Sequence, residues 1–512
     1  MSVHLFPNNS TSLADTAKKH IFLFHKPHSM KQIFLFSSLL LLAIEVTAQK
    51  KSLPTKDEAL KTQAAADIQA NYVQYKNAAL QIWDYAEMGY KEVKSSILLQ
   101  KTLQDNGFTV EAGVAGMPTA FVATFGSGKP VIAVLAEYDA LPGLSQTATP
   151  EKNSAGKNAG HGCGHHLFGV ASVAAGIEIK KLIEEKKLSG TIKVFGCPAE
   201  EGGSGKVYLV RAGLFNEIDV AIHWHPGNNN SVTMLSALAN VSAKFRFHGI
   251  SSHASDAPDR GRSALDGVEA MDNMVNMMRE HIPQETRIHY VITNGGKAPN
   301  VVPDFSEVYY YVRHPKRDQA QSIFKRVVNA ANGAALGTDT KADYEIIGGT
   351  HDLLINRTLA IAMQKNLEKT GGVTYTAAEI EFGKKIQSSF TDTVPSLTAA
   401  ATIKPLKLES ISGGGSTDVG DVSYMVPTVG LEAATWVPGT AAHSWQAVAC
   451  GGTEIGTKGM MVAAKTMALT AIDLYLHPEL IQQATTEFKQ LKGTYQYKVL
   501  LGDRQPALNY RD

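Results

Sequence analysis

Apolar residues recur along this chain with two alternating periods. Lys56 to Glu87 carries apolar residues at helical spacing, and Leu167 to Ile179 is an apolar, helix-like run. Val131 to Leu135 is short and wholly apolar, which is typical of a strand buried in a parallel sheet, and Thr191 to Gly196 is also strand-like. This alternation predicts an α/β domain whose active-site loops lie at the strand ends.

Near the middle of the chain the pattern changes. Val241 to Phe247 alternates like a half-exposed strand, Ser263 to His281 predicts an amphipathic helix, and Val308 to Val312 predicts an aromatic strand. We interpret this stretch as a compact α+β insertion that closes near Gly349. A helix of the first domain is expected to resume over Leu353 to Leu367.

Two sequence features have a structural interpretation. A methionine-rich face is predicted to serve helix packing rather than a cofactor: Met271, Met274, Met277 and Met278. Gly413 to Gly415 lacks the Lys-Ser/Thr that follows a phosphate-binding loop, so we predict instead a turn that carries Asp418 to the active site, where it would contact substrate.

Composition narrows the classes of function. A chain of 512 residues with 44% hydrophobic content exceeds one domain of usual size, so two are expected. A formal net charge of +1 and the lack of a basic block with interleaved aromatics argue against a nucleic-acid partner. The three cysteines are too widely spaced to indicate a disulfide framework, and a Cys197 to Cys450 pair stays open.

The N-terminal region carries a targeting signal. Met30 to Gln32 is a short basic segment, Ile33 to Ile44 is apolar, and Val46 to Ala48 fits a cleavage site. We predict an upstream extension over 1–29, a signal peptide over 30–48 cleaved after Ala48, and no membrane span afterwards; an uncleaved anchor is the alternative. The mature protein is expected in the periplasm or outside the cell.

The most informative chemistry lies in His161-Gly162-Cys163-Gly164-His165-His166. Thiolate and imidazole suit a transition metal such as Zn²⁺ or Mn²⁺ better than Ca²⁺ or Mg²⁺. A redox role has less support, since Cys163 has no nearby cysteine partner. With Glu200-Glu201, His225 and His443 further along the chain, the sequence supplies enough ligands for a two-metal centre.

Glu200 and Glu201 leave the strand that ends near Gly196. Since successive side chains of extended chain point in opposite directions, one glutamate can bind metal while the other faces a metal-bound water and acts as its base. The alternative is a solvated acidic pair. The flanking Pro198 and Gly202-Gly203 favour a tight loop at a site.

These motifs resemble the M20 metallopeptidases, and within them the amidohydrolase branch that includes aminobenzoyl-glutamate hydrolases and auxin-conjugate hydrolases. The likeness runs from about Ile82 to about Thr466, and its nearest match is to the B-type subunits of aminobenzoyl-glutamate hydrolases. The segments that carry it are Glu137 to Gly143, His161 to His166, Pro198 to Gly202, His225, Gly249 to Ala254, Gly261 to Asp266, Arg287 to Tyr290, Asn300 to Asp304, Tyr309 to Pro315, Gly415 to Asp418 and His443 to Gln446.

The resemblance implies a role for each matching residue. Cys163 would bridge two divalent ions, Mn²⁺ or Zn²⁺, and Glu200 would be the general base. The remaining metal ligands would be His165, Glu201, His225 and His443.

It also implies roles outside the metal ligands. His253 would stabilise the oxyanion, often from the partner subunit, and Asn300 would contact substrate. Glu137 stands where aminopeptidase branches carry a ligand histidine, and Asp139 would orient a ligand. His166 departs from the usual Asn or Asp, which leaves it open as an outer donor, a substrate contact or an alternative ligand.

The implied fold is a two-domain M20 arrangement, with an α/β metal-binding domain and an inserted α+β lid that dimerises. We predict the first domain over 52–238 and 350–485, the lid over 239–349 and a C-terminal extension over 486–512.

The implied function is metal-dependent hydrolysis of N-acyl or N-aroyl amino acids, by a homodimer acting on a small molecule. Arg313 or Arg262 is a candidate for the substrate carboxylate. The alternatives are a dipeptidase or carboxypeptidase and, less favoured, a non-catalytic metal-binding homologue.

Overall fold

The computed structural model describes residues 55–409 and 411–511, without the side chains of Ile411 and Ser412. The predicted upstream extension and signal peptide lie outside the described residues. From Lys56 onward the chain forms one compact unit. Its α-helices are α1 Lys56–Ala70, α2 Tyr72–Tyr85, α3 Val93–Asp105, α4 His165–Glu184, α5 Glu200–Gly203, α6 Gly205–Arg211, α7 Ala264–Met278, α8 Arg317–Gly337, α9 Arg357–Thr370, α10 Ala377–Gln387, α11 Val419–Ser423, α12 Trp445–Gly451, α13 Glu454–Leu476 and α14 Pro478–Lys492.

Most strands belong to two sheets, and short pairs complete the set. The strands are β1 Thr109–Ala112, β2 Phe121–Gly126, β3 Val131–Glu137, β4 Leu141–Pro142, β5 Ala159–Gly160, β6 Thr191–Cys197, β7 Val220–Gly227, β8 Ser231–Val232, β9 Leu235–Ser236, β10 Ala239–His248, β11 Arg287–Asn294, β12 Phe305–His314, β13 Lys341–Thr350, β14 Ile411–Ser412 and β15 Thr428–Ala434.

The larger sheet has the order β1-β2-β6-β3-β7-β15-β8. Its four central strands, β6, β3, β7 and β15, run parallel. Every residue of β3 is buried, which confirms the predicted buried strand. Ile132 and Val134 face a core shared with α4 and α13, whereas Ala133 and Leu135 face the core beneath α6 and α11. Helices therefore cover both faces, as the hydrophobic pattern predicted.

The smaller sheet is antiparallel, with the order β11-β12-β10-β13. Along β12 the even positions Val308, Tyr310 and Val312 are buried against α7 and α8, while the odd positions are partly exposed. In β10 only the second half alternates, because residues 239 to 243 are all buried. The sheet and its two helices form the predicted α+β insertion.

Two predicted helices differ in detail. The helix expected from Lys56 to Glu87 is two helices separated at Asn71, whose backbone leaves the helical region (φ −93°, ψ 12°). The helix expected from Leu353 begins instead at Arg357, because the Asn356 side chain accepts a hydrogen bond from the Leu359 amide and caps it there.

The methionine face of α7 is divided between packing and exposure. Met271 and Met278 are buried, but Met274 and Met277 are 42% and 72% exposed. The buried positions follow the spacing of Val268, Met271, Val275 and Met278, so the other two methionines lie on the outer side. Only Met271 and Met278 therefore have the packing role that the sequence predicts.

Among the described residues, α13 is the one helix long and apolar enough to span a membrane. Of its apolar window, 83% is buried inside the protein. It contributes Met460, Met467 and Leu474 to the main core, which explains its hydrophobicity without a membrane.

Candidate metal centre

The functional side chains meet at the carboxyl-terminal edge of the parallel strands. Glu137 ends β3, Glu200 and Glu201 follow β6, His225 lies near the end of β7, and His443 follows β15. The loop at Gly164 leads into α4, whose first residue is His165. Parallel strands bring these distant segments together at one edge, as is usual for ligand sites in α/β sheets.

Cys163 lies between two clusters of possible metal ligands. Its sulfur groups with His165 and His225 on one side and with Glu201 and His443 on the other. Within each group the ligand atoms lie within 4.8 Å of one another. The structure thus brings together all five predicted ligands, and the shared cysteine stands where a bridging ligand would be needed.

The histidines present defined nitrogen atoms to this space. His225 Nδ1 lies 2.7 Å from the Pro226 carbonyl oxygen and donates to it, so Nε2 faces the Cys163 sulfur at 3.3 Å with its lone pair. His165 Nδ1 lies 2.8 Å from Asp139, which leaves Nε2 for the site. Hydrogen bonds of this kind fix ring orientation in metal sites.

Asp139 connects two predicted ligands. Its Oδ1 accepts from His165, and its Oδ2 accepts from the Glu201 backbone amide at 2.9 Å. The carboxylate is 1% exposed. Asp139 therefore lies where it can orient His165 and the Glu201 turn together.

Glu200 and Glu201 diverge for a reason other than the expected one. They do not continue the strand as extended chain: Ala199 is left-handed (φ 55°), and α5 is a single distorted turn with Glu201 at ψ 67° and Gly202 at φ 90°. The turn directs Glu201 to His443, 3.1 Å away, and Glu200 toward Glu137 and His165. The two side chains point to different neighbours, as expected, but a distorted turn rather than extended chain produces this divergence.

A fully buried lysine lies beside the site. Lys206 Nζ lies 2.6 Å from both Glu137 and Asp418, and its backbone amide donates to the other Asp418 oxygen at 2.8 Å. Glu137 in turn lies 3.1 Å from His165. Because a cation already neutralises Glu137, the further cluster of Glu137, His165 and Glu200 is less suited to a metal ion than the two clusters that share Cys163.

Lys206 changes the interpretation of Asp418. The glycine turn does carry Asp418 toward the site, but the residue is 1% exposed and both its oxygens contact Lys206. Its predicted contact with substrate gains no support from this arrangement. Sequence reasoning missed Lys206, whose only signal is a cation directly before the apolar run from Val207 to Val210.

The electrostatic environment favours bound protons where metals would bind. Burial raises the pKa of the Cys163 thiol above its usual range. Burial opposes protonation of His165, but the adjacent Cys163 and Asp139 raise its pKa well above the usual value. For Glu200, burial and then three neighbouring carboxylates raise the pKa well above the usual value. Cationic metal ions would relieve this concentration of negative charge.

His253 and Asn300 lie together on the smaller sheet's loops. His253 pairs with Val301, and the Ala254 amide donates to the Asn300 carbonyl at 3.0 Å. Amides of Ser255 and Asp256 donate to His253 Nδ1, so the proton of the neutral ring is on Nε2, a donor on an exposed side chain. Among the described contacts, none joins His253 or Asn300 to the five ligands.

The two arginine candidates differ in their surroundings. Arg313 lies on β12 with its guanidinium 5.3 Å from the Tyr311 ring centre, and its Nε has no hydrogen-bond partner. Arg262 instead pairs with Asp339 at 2.7 Å. Of the two arginines, Arg313 is therefore the better candidate to bind a substrate carboxylate.

His166 turns away from the metal ligands. Its Nε2 lies 3.0 Å from the Gly451 carbonyl and its ring packs 4.8 Å from that of His161. Since His166 follows His165 on α4, the helical rotation of about 100° sends it to another side. It belongs to none of the three possible ligand clusters, and an outer-donor role has no support here.

All three cysteines are free, so Cys197 and Cys450 do not pair.

Comparison with known proteins gives a consistent result. Residues 239–339 match the model of the M20 peptidase dimerisation domain. The chain is 41% identical over 457 residues to the B-type subunit of p-aminobenzoyl-glutamate hydrolase from Escherichia coli (strain K12), covering 84% of this chain and 95% of the relative. It is 29% identical to Xaa-Arg dipeptidase of Mus musculus, covering 84% of this chain and 93% of the relative.

Solved structures share the fold. A dinuclear metal binding peptidase from the M20 family of Bacillus subtilis superimposes with a TM-score of 0.55 at 16% identity, over 80% of this chain and 99% of that one. An aminobenzoyl-glutamate utilization protein from Klebsiella pneumoniae gives a TM-score of 0.55 at 17% identity, over 80% and 98%.

Proposed function

The chain belongs to the M20 family of metallopeptidases and amidohydrolases, and we propose that it hydrolyses N-acyl or N-aroyl amino acids such as p-aminobenzoyl-glutamate. Metal-dependent amide hydrolysis is the activity of its relatives and of this chain. The observation that carries the proposal is the pair of ligand clusters around Cys163, with Glu200 beside them.

The side chains fit two transition-metal ions. His165 Nε2 and Glu201 Oε1 are buried without a hydrogen bond of good geometry, and each lies 3.1 Å from one charged neighbour, Glu137 and His443 respectively, so a cation between them would satisfy both atoms. The donor set of one thiolate, three imidazoles and a carboxylate favours Zn²⁺ or Mn²⁺. We propose that Cys163, His165 and His225 hold one ion and that Cys163, Glu201 and His443 hold the other.

Bound divalent ions supply Lewis acidity to the scissile carbonyl and to the attacking water. Glu200 is partly exposed and groups with His165 beside the ligand clusters, so its carboxylate lies where it can accept the proton of the water once bound cations hold it in the ionised form. The same carboxyl then returns that proton to the leaving nitrogen. Glu201, which faces His443, is left to bind metal.

Removing the shared ligand tests the metal assignment. We expect Cys163→Ala to bind at least one ion fewer than the roughly two per chain of the unmodified protein, because both clusters lose their common sulfur. Elemental analysis of dialysed protein measures this. Cys197→Ala removes another buried thiol and serves as the matched control, with unchanged metal content. Full occupancy in Cys163→Ala would contradict the bridging role.

The lid is proposed to complete the site from a second copy of the chain. The match to a dimerisation domain supports a homodimer. The exposed Nε2–H of His253 supports a role in stabilising the carbonyl oxygen as it gains charge, and the neighbouring Asn300 offers a second polar contact.

A dipeptidase is the second candidate function, because the chain also aligns over most of its length with Xaa-Arg dipeptidase. Both functions place a carboxylate beside the scissile amide. The unpaired Nε of Arg313 supports its contact with that carboxylate in either case.

Substrate preference decides between the two candidates. We expect kcat/KM for p-aminobenzoyl-glutamate or another N-acyl amino acid to exceed that for dipeptides with a free N-terminus by at least about 10-fold, a modest difference in transition-state binding. Parallel assays with Mn²⁺ and Zn²⁺ measure it. Glu200→Gln protein from the same purification reveals any contaminating peptidase. Faster cleavage of dipeptides would favour the second function.

A further inference from the structure

The chain that follows α14 makes a continuous series of contacts although it has no helix or strand. It starts beside the smaller sheet, where Tyr495 OH lies 2.9 Å from His351 Nε2 and Tyr497 OH donates to Asp421 at 2.8 Å. Next, Leu500 packs into the core of the smaller sheet and Leu501 into a core of the larger one. Two adjacent side chains therefore anchor this segment in both parts of the fold.

The segment then runs along the helix that follows the catalytic glutamates. Arg504 donates to the Ile347 carbonyl in β13 at 2.5 Å. From α6, Arg211 donates to the carbonyls of Gly502 and Arg504, and Tyr208 donates to that of Gln505. The path of the backbone up to residue 505 is thereby fixed by hydrogen bonds.

It ends on the backbone of a predicted metal ligand. Tyr510 OH donates to the Glu201 carbonyl at 3.0 Å, and Arg511 Nη2 donates to the same oxygen at 2.6 Å. Because Asp139 accepts from the Glu201 amide, this residue is held through both of its backbone polar groups. Gly89 lies so close that a Cβ there would come 2.1 Å from the Tyr510 hydroxyl.

The turn that carries Glu200 and Glu201 needs such support. Ala199 and Ser204 both have left-handed backbones (φ 55° and 59°), a conformation that non-glycine residues adopt at a cost. No side-chain cap holds α5. Contacts from outside the turn must therefore stabilise it, and Tyr510 and Arg511 supply two of them, together with Tyr90, which donates to the Gly203 carbonyl at 2.7 Å.

We infer that Tyr510 and Arg511 are positioning residues that hold the Glu200–Glu201 turn in its reactive geometry. The inference rests on the proposed function of the two glutamates. Neither residue has a contact with the five ligand side chains among those described; they act through the Glu201 carbonyl. Release of that carbonyl would let the turn relax and move both carboxylates from their partners.

The experiment compares metal-loaded full-length variants. We expect Arg511→Ala to lower kcat by about 10- to 100-fold with KM changed less than about 3-fold, since displacement of about 1 Å has costs of this order. Arg511→Lys retains a donor and should recover part of kcat, and added guanidinium should partly rescue Arg511→Ala. Tyr510→Phe removes only the hydroxyl and should show a smaller loss. Asn509→Ala changes an exposed neighbour and should match the unmodified protein.

Hydrogen exchange on metal-free protein gives a readout independent of activity. Amides of 197–204 should exchange faster in Arg511→Ala, while those of 239–248 in the smaller sheet stay protected. Wild-type kcat and wild-type exchange in both Arg511→Ala and Tyr510→Phe would overturn the inference, as would uniformly faster exchange, which indicates general destabilisation. If the unmodified protein shows no metal-dependent hydrolysis, the proposed function fails, and exchange alone still decides whether these residues hold the turn.

Discussion

Glu200→Gln is expected to keep its metal ions and lose turnover by about 10²- to 10⁴-fold, the usual contribution of a general acid–base residue. The amide has nearly the shape of the carboxylate but does not accept the proton of the attacking water. Glu200 faces Glu137 and His165 rather than the second ligand cluster, so its loss leaves all five proposed ligands in place. Steady-state kinetics and elemental analysis of one preparation measure both quantities.

Glu201→Gln is the matched variant, since it makes the same chemical change one residue away. Glu201 groups with Cys163 and His443, and its Oε1 lies 3.1 Å from His443 Nε2. Its substitution should therefore reduce metal content, with loss of activity as a consequence. Near-normal turnover in Glu200→Gln would remove Glu200 from the mechanism. An unmodified chain without any turnover would instead favour the non-catalytic alternative.

His253→Ala is expected to lower kcat by about 10²- to 10³-fold, the cost typical of a lost oxyanion donor, with metal content unchanged. Backbone amides of Ser255 and Asp256 occupy Nδ1, so Nε2 carries the proton that would stabilise the developing charge. His253→Gln retains a side-chain N–H donor and should be less impaired than His253→Ala, which separates loss of the hydrogen bond from loss of the fold.

Mixed dimers test whether His253 acts on the partner's site. When equal amounts of His253→Ala and Glu200→Gln chains exchange subunits, about half of the dimers are mixed, and each has one site with both groups, so about a quarter of normal activity should return. Size-exclusion chromatography and tagged chains establish that mixed dimers form. Mixed dimers without activity would indicate action within one chain, and an active monomer would exclude the shared site.

The local elements and the ligand motif were accessible from sequence. Val131 to Leu135 had to be buried because it is wholly apolar, and it is the central strand β3. The ligands Cys163 and His165 lie two residues apart, so their association required only local chain geometry. The assembly of Glu201, His225 and His443 with them followed from parallel strands whose carboxyl ends meet at one edge.

Local sequence was less informative about where elements begin and how side chains turn. The start of α9 depends on one capping hydrogen bond from Asn356, and the break between α1 and α2 depends on the backbone of Asn71. Neither residue disrupts the hydrophobic period. The direction of His166 depends on its place in α4 and on space beside Gly451, far away in the chain.

The sequence by itself determined the α/β class and the α+β insertion, because both rest on periodicity, and its short motifs supplied the candidate ligands. Only the tertiary structure decided how charge is balanced and how the catalytic turn is held. Lys206 binds Asp418, which is 212 residues away in the sequence, and Arg511 binds the Glu201 carbonyl, which is 310 residues away. Such contacts produce no hydrophobic periodicity in the local sequence. A buried ion pair or a hydrogen bond to a buried carbonyl depends on which distant segments the fold brings together.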